Sequence, residues 1–144
     1  MRGVSILCGI ALAFLVAGGL TACGSGEGAH ADGTLVQVKE KDFRVLLSRK
    51  RIPAGDVRFV VHNAGPDDHE LIMVRAQQLS LPLRNDGVTV SEQKLQPQTV
   101  TTLEPAGPGA VRQIRVHLAR GTYEVFCNMA GHYMGGMHAF FVVT

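Results

Sequence analysis

Cys127, His132 and Met137 recur at five-residue intervals near the end of the chain, with Gly131, Gly135 and Gly136 between them. A thiol, an imidazole and a thioether are donors of graded softness, and the intervening glycines let the backbone fold the three together. An apolar, β-rich stretch delivers Cys127, a tight loop delivers His132, and a second glycine turn delivers Met137 as the last apolar stretch begins. Thiolate and imidazole bind both oxidation states of copper. With a second imidazole completing a trigonal His2Cys plane and a long thioether contact beyond it, the set is that of an electron-transfer copper site.

His69 is the best candidate for the second imidazole, because it stands after the breaker-rich loop Asn63 to Asp68 and opens the apolar stretch Leu71 to Val74. His62 and His117 fall inside alternating stretches and read as surface residues. His138 directly follows Met137, and neighbouring residues of a strand point to opposite faces. Met134 and Met129 compete with Met137 for the thioether position. Zinc is the sharpest rival metal, but thioether serves it poorly and structural zinc sites use four Cys or His donors. Ser91 and Lys94 match S-x-x-K, yet the partner motifs of the corresponding enzymes are missing. No phosphate loop or nucleophile elbow occurs either, so no enzyme signature stands.

Strands must position these donors. Leu35 to Val38, Phe43 to Leu47, Val57 to His62 and Leu71 to Val74 are short, rich in β-branched residues and without a 3.6-residue period. Further strands are expected at Thr99 to Leu103, Val111 to Leu118, Thr122 to Cys127 and Met137 to Val143, with turns at Pro53 to Asp56, Pro105 to Gly109 and Arg120-Gly121. The stretch from Ala76 to Gln98, interrupted by Pro82 and by Asn85-Asp86-Gly87, reads as a short helix or a surface excursion. The whole describes an all-β, antiparallel sandwich of about seven to eight strands in a single domain over 34–144.

Ahead of that domain, Arg2, the apolar run Ile6 to Val16 and the small residues Ala17 to Gly19 have the layout of a secretory signal over 1–22. Leu20-Thr21-Ala22-Cys23 resembles the lipobox of bacterial lipoproteins, which implies lipidation of Cys23 and attachment to a bacterial membrane. Residues 23–33 are small and polar enough for a tether. If Cys8 leaves with the signal and Cys23 carries lipid, Cys127 is the only thiol left in an oxidising compartment, where a lone thiol needs a protected role. The net charge of +2 is spread along the chain, and Arg49-Lys50-Arg51 reads as a solvated turn, so no nucleic-acid partner is expected.

Asn63 to Ile72, with His69 inside it, resembles the first-histidine segment of the cupredoxins, and Cys127-x4-His132-x4-Met137 resembles their C-terminal ligand loop in its rusticyanin- and sulfocyanin-like spacing. The resemblance spans nearly the whole mature domain. It implies a Greek-key β-sandwich, one type 1 copper ion, His69, Cys127 and His132 as equatorial ligands, and Met137 as the axial one. It further implies a backbone N–H near Asn63 or Glu70 reaching the Cys127 sulfur. The expected activity is one-electron transfer outside the cytoplasm by a monomer that is not an enzyme, with a copper-delivery lipoprotein as the alternative. A cytochrome or oxidase-type redox partner is expected at the end where His132 emerges, among Tyr133, Met134, Gly135 and Gly136.

Overall fold

The computed structural model describes residues 33–77 and 80–144. The signal expected at 1–22, Cys23 and the tether up to residue 32 lie outside them.

Alternation of apolar and polar side chains builds the first sheet. In β1 (Thr34–Lys41), Val36 and Val38 point inward while Gln37 and Lys39 face solvent. In β4 (Gly55–Asn63), Val57, Phe59 and Val61 are buried between Asp56, Arg58, Val60 and His62. With β2 (Arg44–Leu47) and β7 (Val111–Leu118) these strands form a sheet of order β2-β1-β4-β7. The second sheet has the order β3-β9-β8-β5-β6, from β3 (Arg51–Ile52), β5 (His69–Arg75), β6 (Thr99–Ala106), β8 (Gly121–Phe126) and β9 (His138–Val143). Its inward residues Leu71, Met73, Tyr123, Val125, Phe141 and Val143 pack against the first sheet in one core. Each large side chain so buried contributes about 1.5–3 kcal/mol.

The all-β sandwich expected from the sequence is therefore present, with three differences. There are nine strands among the described residues, because Arg51–Ile52 adds a short one beside β9. The sheets are mixed rather than purely antiparallel, since β1 runs parallel to β4 and β3 to β9. Pro105 lies within β6 instead of ending it; β6 is an edge strand, where a missing N–H costs no ladder bond.

The second sheet is covered on both faces. Its outer residues Ile72, Val74 and Phe126 pack under Leu81, Val90, Leu95 and Tyr133. Most of this cover comes from the excursion after β5, which carries α1 (Glu92–Leu95) and a 3-10 turn at Gln96–Gln98. Double coverage explains why β5 reads as an unbroken apolar run, Leu71 to Val74, rather than an alternating one.

Candidate metal centre

One end of the sandwich gathers the chemistry. The end of β1, the end of β4, the start of β5 and both ends of the β8–β9 connection meet there. Asn63 organises the loop leading to His69. Its side-chain amide donates to the carbonyls of Asp67 (2.7 Å) and Ala106 (2.8 Å), and its Oδ1 accepts from the Gly65 N–H (2.9 Å). Gly65 needs its small size, because a Cβ there would lie 2.7 Å from both His69 Nε2 and Asp42 Oδ1.

The second loop is a compact coil. Cys127 lies one residue beyond β8, and its N–H donates to the Met137 carbonyl (3.1 Å), so the loop is closed at its base. Inside it, His132 N–H reaches Met129 O (2.9 Å), Gly135 N–H reaches Gly131 O (2.8 Å) and Met137 N–H reaches His132 O (2.9 Å). Gly131 (φ 82°) and Gly136 (φ 100°) take the left-handed turns this tightness requires. Met137 precedes β9 rather than opening it.

These two loops bring His69, Cys127 and His132 together, with one donor atom of each lying within 4.8 Å of the others. Cys127 Sγ is 3.5 Å from His132 Nδ1 and 4.0 Å from His69 Nδ1. Sulfur and nitrogen donors bound at about 2.3 and 2.0 Å to one ion in a trigonal plane stand roughly 3.5–3.8 Å apart, so the spacing accommodates a single transition-metal ion. Cys127, His69 and Met137 are fully buried and His132 is 9 % exposed. Of the competing thioethers, Met134 is exposed and Met129 packs against the main core. His62 and His117 are exposed on the first sheet, the latter beside Asp56.

Burial pushes the Cys127 thiol up to about 11, opposed in part by the N–H groups of Met129 and Glu70, which reach the sulfur. The Glu70 contact was expected; the Asn63 N–H instead donates to the Ala110 carbonyl. A buried neutral thiol is inert until a cation displaces its proton. His132 is held below the ordinary imidazole range by burial and then by the neighbouring His69, which leaves its ring nitrogen free to act as a donor.

Two groups at the site carry no signal in the sequence. Asp42 and Phe43, between β1 and β2, each meet one of the imidazoles. Asp42 Oδ1 is 2.8 Å from His69 Nε2, and the Phe43 ring stands edge-on to His132 at 5.3 Å between centroids. Phe43 also sits over Gly135, where a Cβ would come within 2.8 Å of its ring. Tyr133, by contrast, does not belong to the exposed rim expected of it. It is buried, turned away to the outer face of the second sheet, where its hydroxyl accepts the Leu81 N–H (3.2 Å). The exposed apolar residues around His132 are Phe43 and Met134.

No protein-family model matches the sequence, and no curated protein matches it. Solved structures do. Reduced auracyanin from Roseiflexus castenholzii superposes with a TM-score of 0.57 at 18 % identity, over 78 % of this chain and 98 % of its own. Rusticyanin from Thiobacillus ferrooxidans gives 0.55 at 18 %, over 78 % and 79 %. An azurin from Methylomonas sp. strain J gives 0.55 at 13 %, over 77 % and 98 %. From strand alternation to loop closure and superposition, the fold of this chain is the cupredoxin fold.

Proposed function

We propose that the chain is a mononuclear type 1 copper protein that carries single electrons outside the cytoplasm. The observation that supports this reading most directly is the convergence of Cys127 Sγ with the Nδ1 atoms of His69 and His132, with Met137 buried in the loop whose base closes on Cys127. His69, Cys127, His132 and Met137 would hold the ion, a donor set that suits both oxidation states and would supply one-electron chemistry. The chain's own contribution is rigidity and dryness. The Asn63 hydrogen bonds and the closed Cys127–Met137 loop fix the donors, and the core excludes water from three of the four.

The redox partner would dock where His132 approaches the surface, on a small apolar patch of Phe43, Met134, Gly135 and Gly136, suited to a brief encounter. Four protein donors leave no position for a substrate, in keeping with a carrier of electrons rather than an enzyme. A lipid on Cys23 would anchor the chain at a bacterial membrane. Within the folded domain, β1 begins at Thr34 and ends next to Asp42, so its first residue lies roughly 25 Å along the strand from the site. Copper delivery, the alternative, draws no support from the methionines, as only Met134 among those near the site is well exposed.

The test is the visible spectrum of the chain loaded with Cu(II), beside that of Cys127→Ser. An intense thiolate-to-copper band present only in the parent is the expected result. A colourless protein that holds Cu(I) alone would move the reading to delivery. Loss of membrane association in Cys23→Ser tests the anchor separately.

A further inference from the structure

His69 is fully buried, and its ring has two nitrogens with different tasks. Nδ1 faces Cys127 Sγ, while Nε2 points to the connection between β1 and β2, where Asp42 Oδ1 lies 2.8 Å away. Both of these second atoms are sealed from solvent; the approach is close but not yet an aligned hydrogen bond, and neither atom has a partner elsewhere among the described residues. Buried polar atoms are rarely left unpaired, so each is the other's available counterpart. Gly65 packs against both at once, and any larger residue there would drive between them. The fully buried Glu40 carboxylate, which also interacts with His69, is already engaged by Arg112.

We infer that Asp42 is a positioning residue for His69. Its carboxylate holds the proton on Nε2, so that the lone pair of Nδ1 is presented to the ion, and it places a negative charge behind the imidazole. A ring nitrogen tied to a carboxylate fixes both tautomer and ring orientation and makes the other nitrogen more basic. A fixed anion behind a ligand favours the higher oxidation state of the ion in front of it. The second effect rests on the copper reading above; the first does not, since it concerns the tautomer of the metal-free chain.

The experiment uses the full chain and two variants. Asp42→Asn keeps an oxygen acceptor of the same shape and removes the charge; Asp42→Ala removes both. In the metal-free state, nitrogen-15 NMR of the His69 ring should show a single Nε2–H tautomer in the parent and in Asp42→Asn, and a mixture in Asp42→Ala. In the copper-loaded state, both variants should lose about tenfold in preference for Cu(II) over Cu(I), a rise of ~59 mV in midpoint potential for one electron. A parent tautomer unaffected by Asp42→Ala, or a midpoint unchanged in Asp42→Asn, overturns the assignment. A chain that takes up no copper sinks the copper reading, and the tautomer measurement still decides the role of Asp42.

Discussion

Glu124 is the most consequential buried charge outside the metal centre. It lies in β8 with its side chain fully enclosed on the covered outer face of the second sheet. His138 Nδ1 stands 2.9 Å from Oε1, yet no aligned hydrogen bond reaches either oxygen. Burial lifts its pKa from 4.5 to about 7, a rise that the nearby Tyr133 hydroxyl partly offsets. The native state therefore keeps a proton that the unfolded chain has already lost between these two values. Over that window the native state binds more protons than the unfolded one, so stability falls as pH rises. At ~1.4 kcal/mol per pH unit, the full effect is roughly 3 kcal/mol. Glu124→Gln, which keeps the shape and cannot ionise, should match the parent near pH 4.5 and exceed it by roughly that amount at pH 8. Urea unfolding of the metal-free chain at both pH values measures the difference directly. His138, held below the ordinary imidazole range by burial, remains in both proteins. A gap between variant and parent that is the same at pH 4.5 and pH 8 would refute the assignment of the raised pKa to Glu124.

Other consequences can be measured alongside. Gly65→Ala places a Cβ 2.7 Å from both Asp42 Oδ1 and His69 Nε2 and should cost about 1–3 kcal/mol as well as weakening metal affinity; unchanged affinity would count against the tight approach. Asn63→Ala removes three hydrogen bonds from the loop before His69 and should cost roughly 2–4 kcal/mol in thermal or urea unfolding. With the Cys127 thiol raised to about 11 and His132 held neutral, uptake of Cu(II) at pH 8 should release one proton per ion, measured by pH-stat titration, and none in Cys127→Ser. Tyr123→Phe deletes the hydroxyl that donates to the Ala119 carbonyl at 2.8 Å and should lower stability by about 1 kcal/mol without shifting the midpoint potential.

The meeting of Cys127 with His132 was legible in the sequence because it is local. Cys127, His132 and Met137 occupy one loop whose glycines announce the turns, and His69 follows a breaker-rich segment that must be a strand-entry loop. Strand existence was legible for the same reason. The inward and outward residues of β1, β4 and β7 alternate with the period of the pleat, and that period sets which side of a sheet meets the core.

Contacts between segments distant in the chain were decided only by folding. The parallel pairing of β1 with β4, the two-residue β3 beside β9 and the cover over the second sheet depend on which surfaces remain after the rest has packed. Tyr133 illustrates the point: adjacency to His132 suggested a place on the rim, but Phe126 and Leu81 give its ring an apolar pocket, and it turns there. Asp42 and Phe43 make the converse case. They stand 27 and 89 residues before the imidazoles they touch, in a turn that periodicity marks only as polar and apolar. Short-range spacing determined that Cys127 and His132 share one loop; tertiary packing decided that His69 meets them and what stands behind each imidazole, because burial and second contacts are properties of the assembled end of the sandwich and not of any one segment.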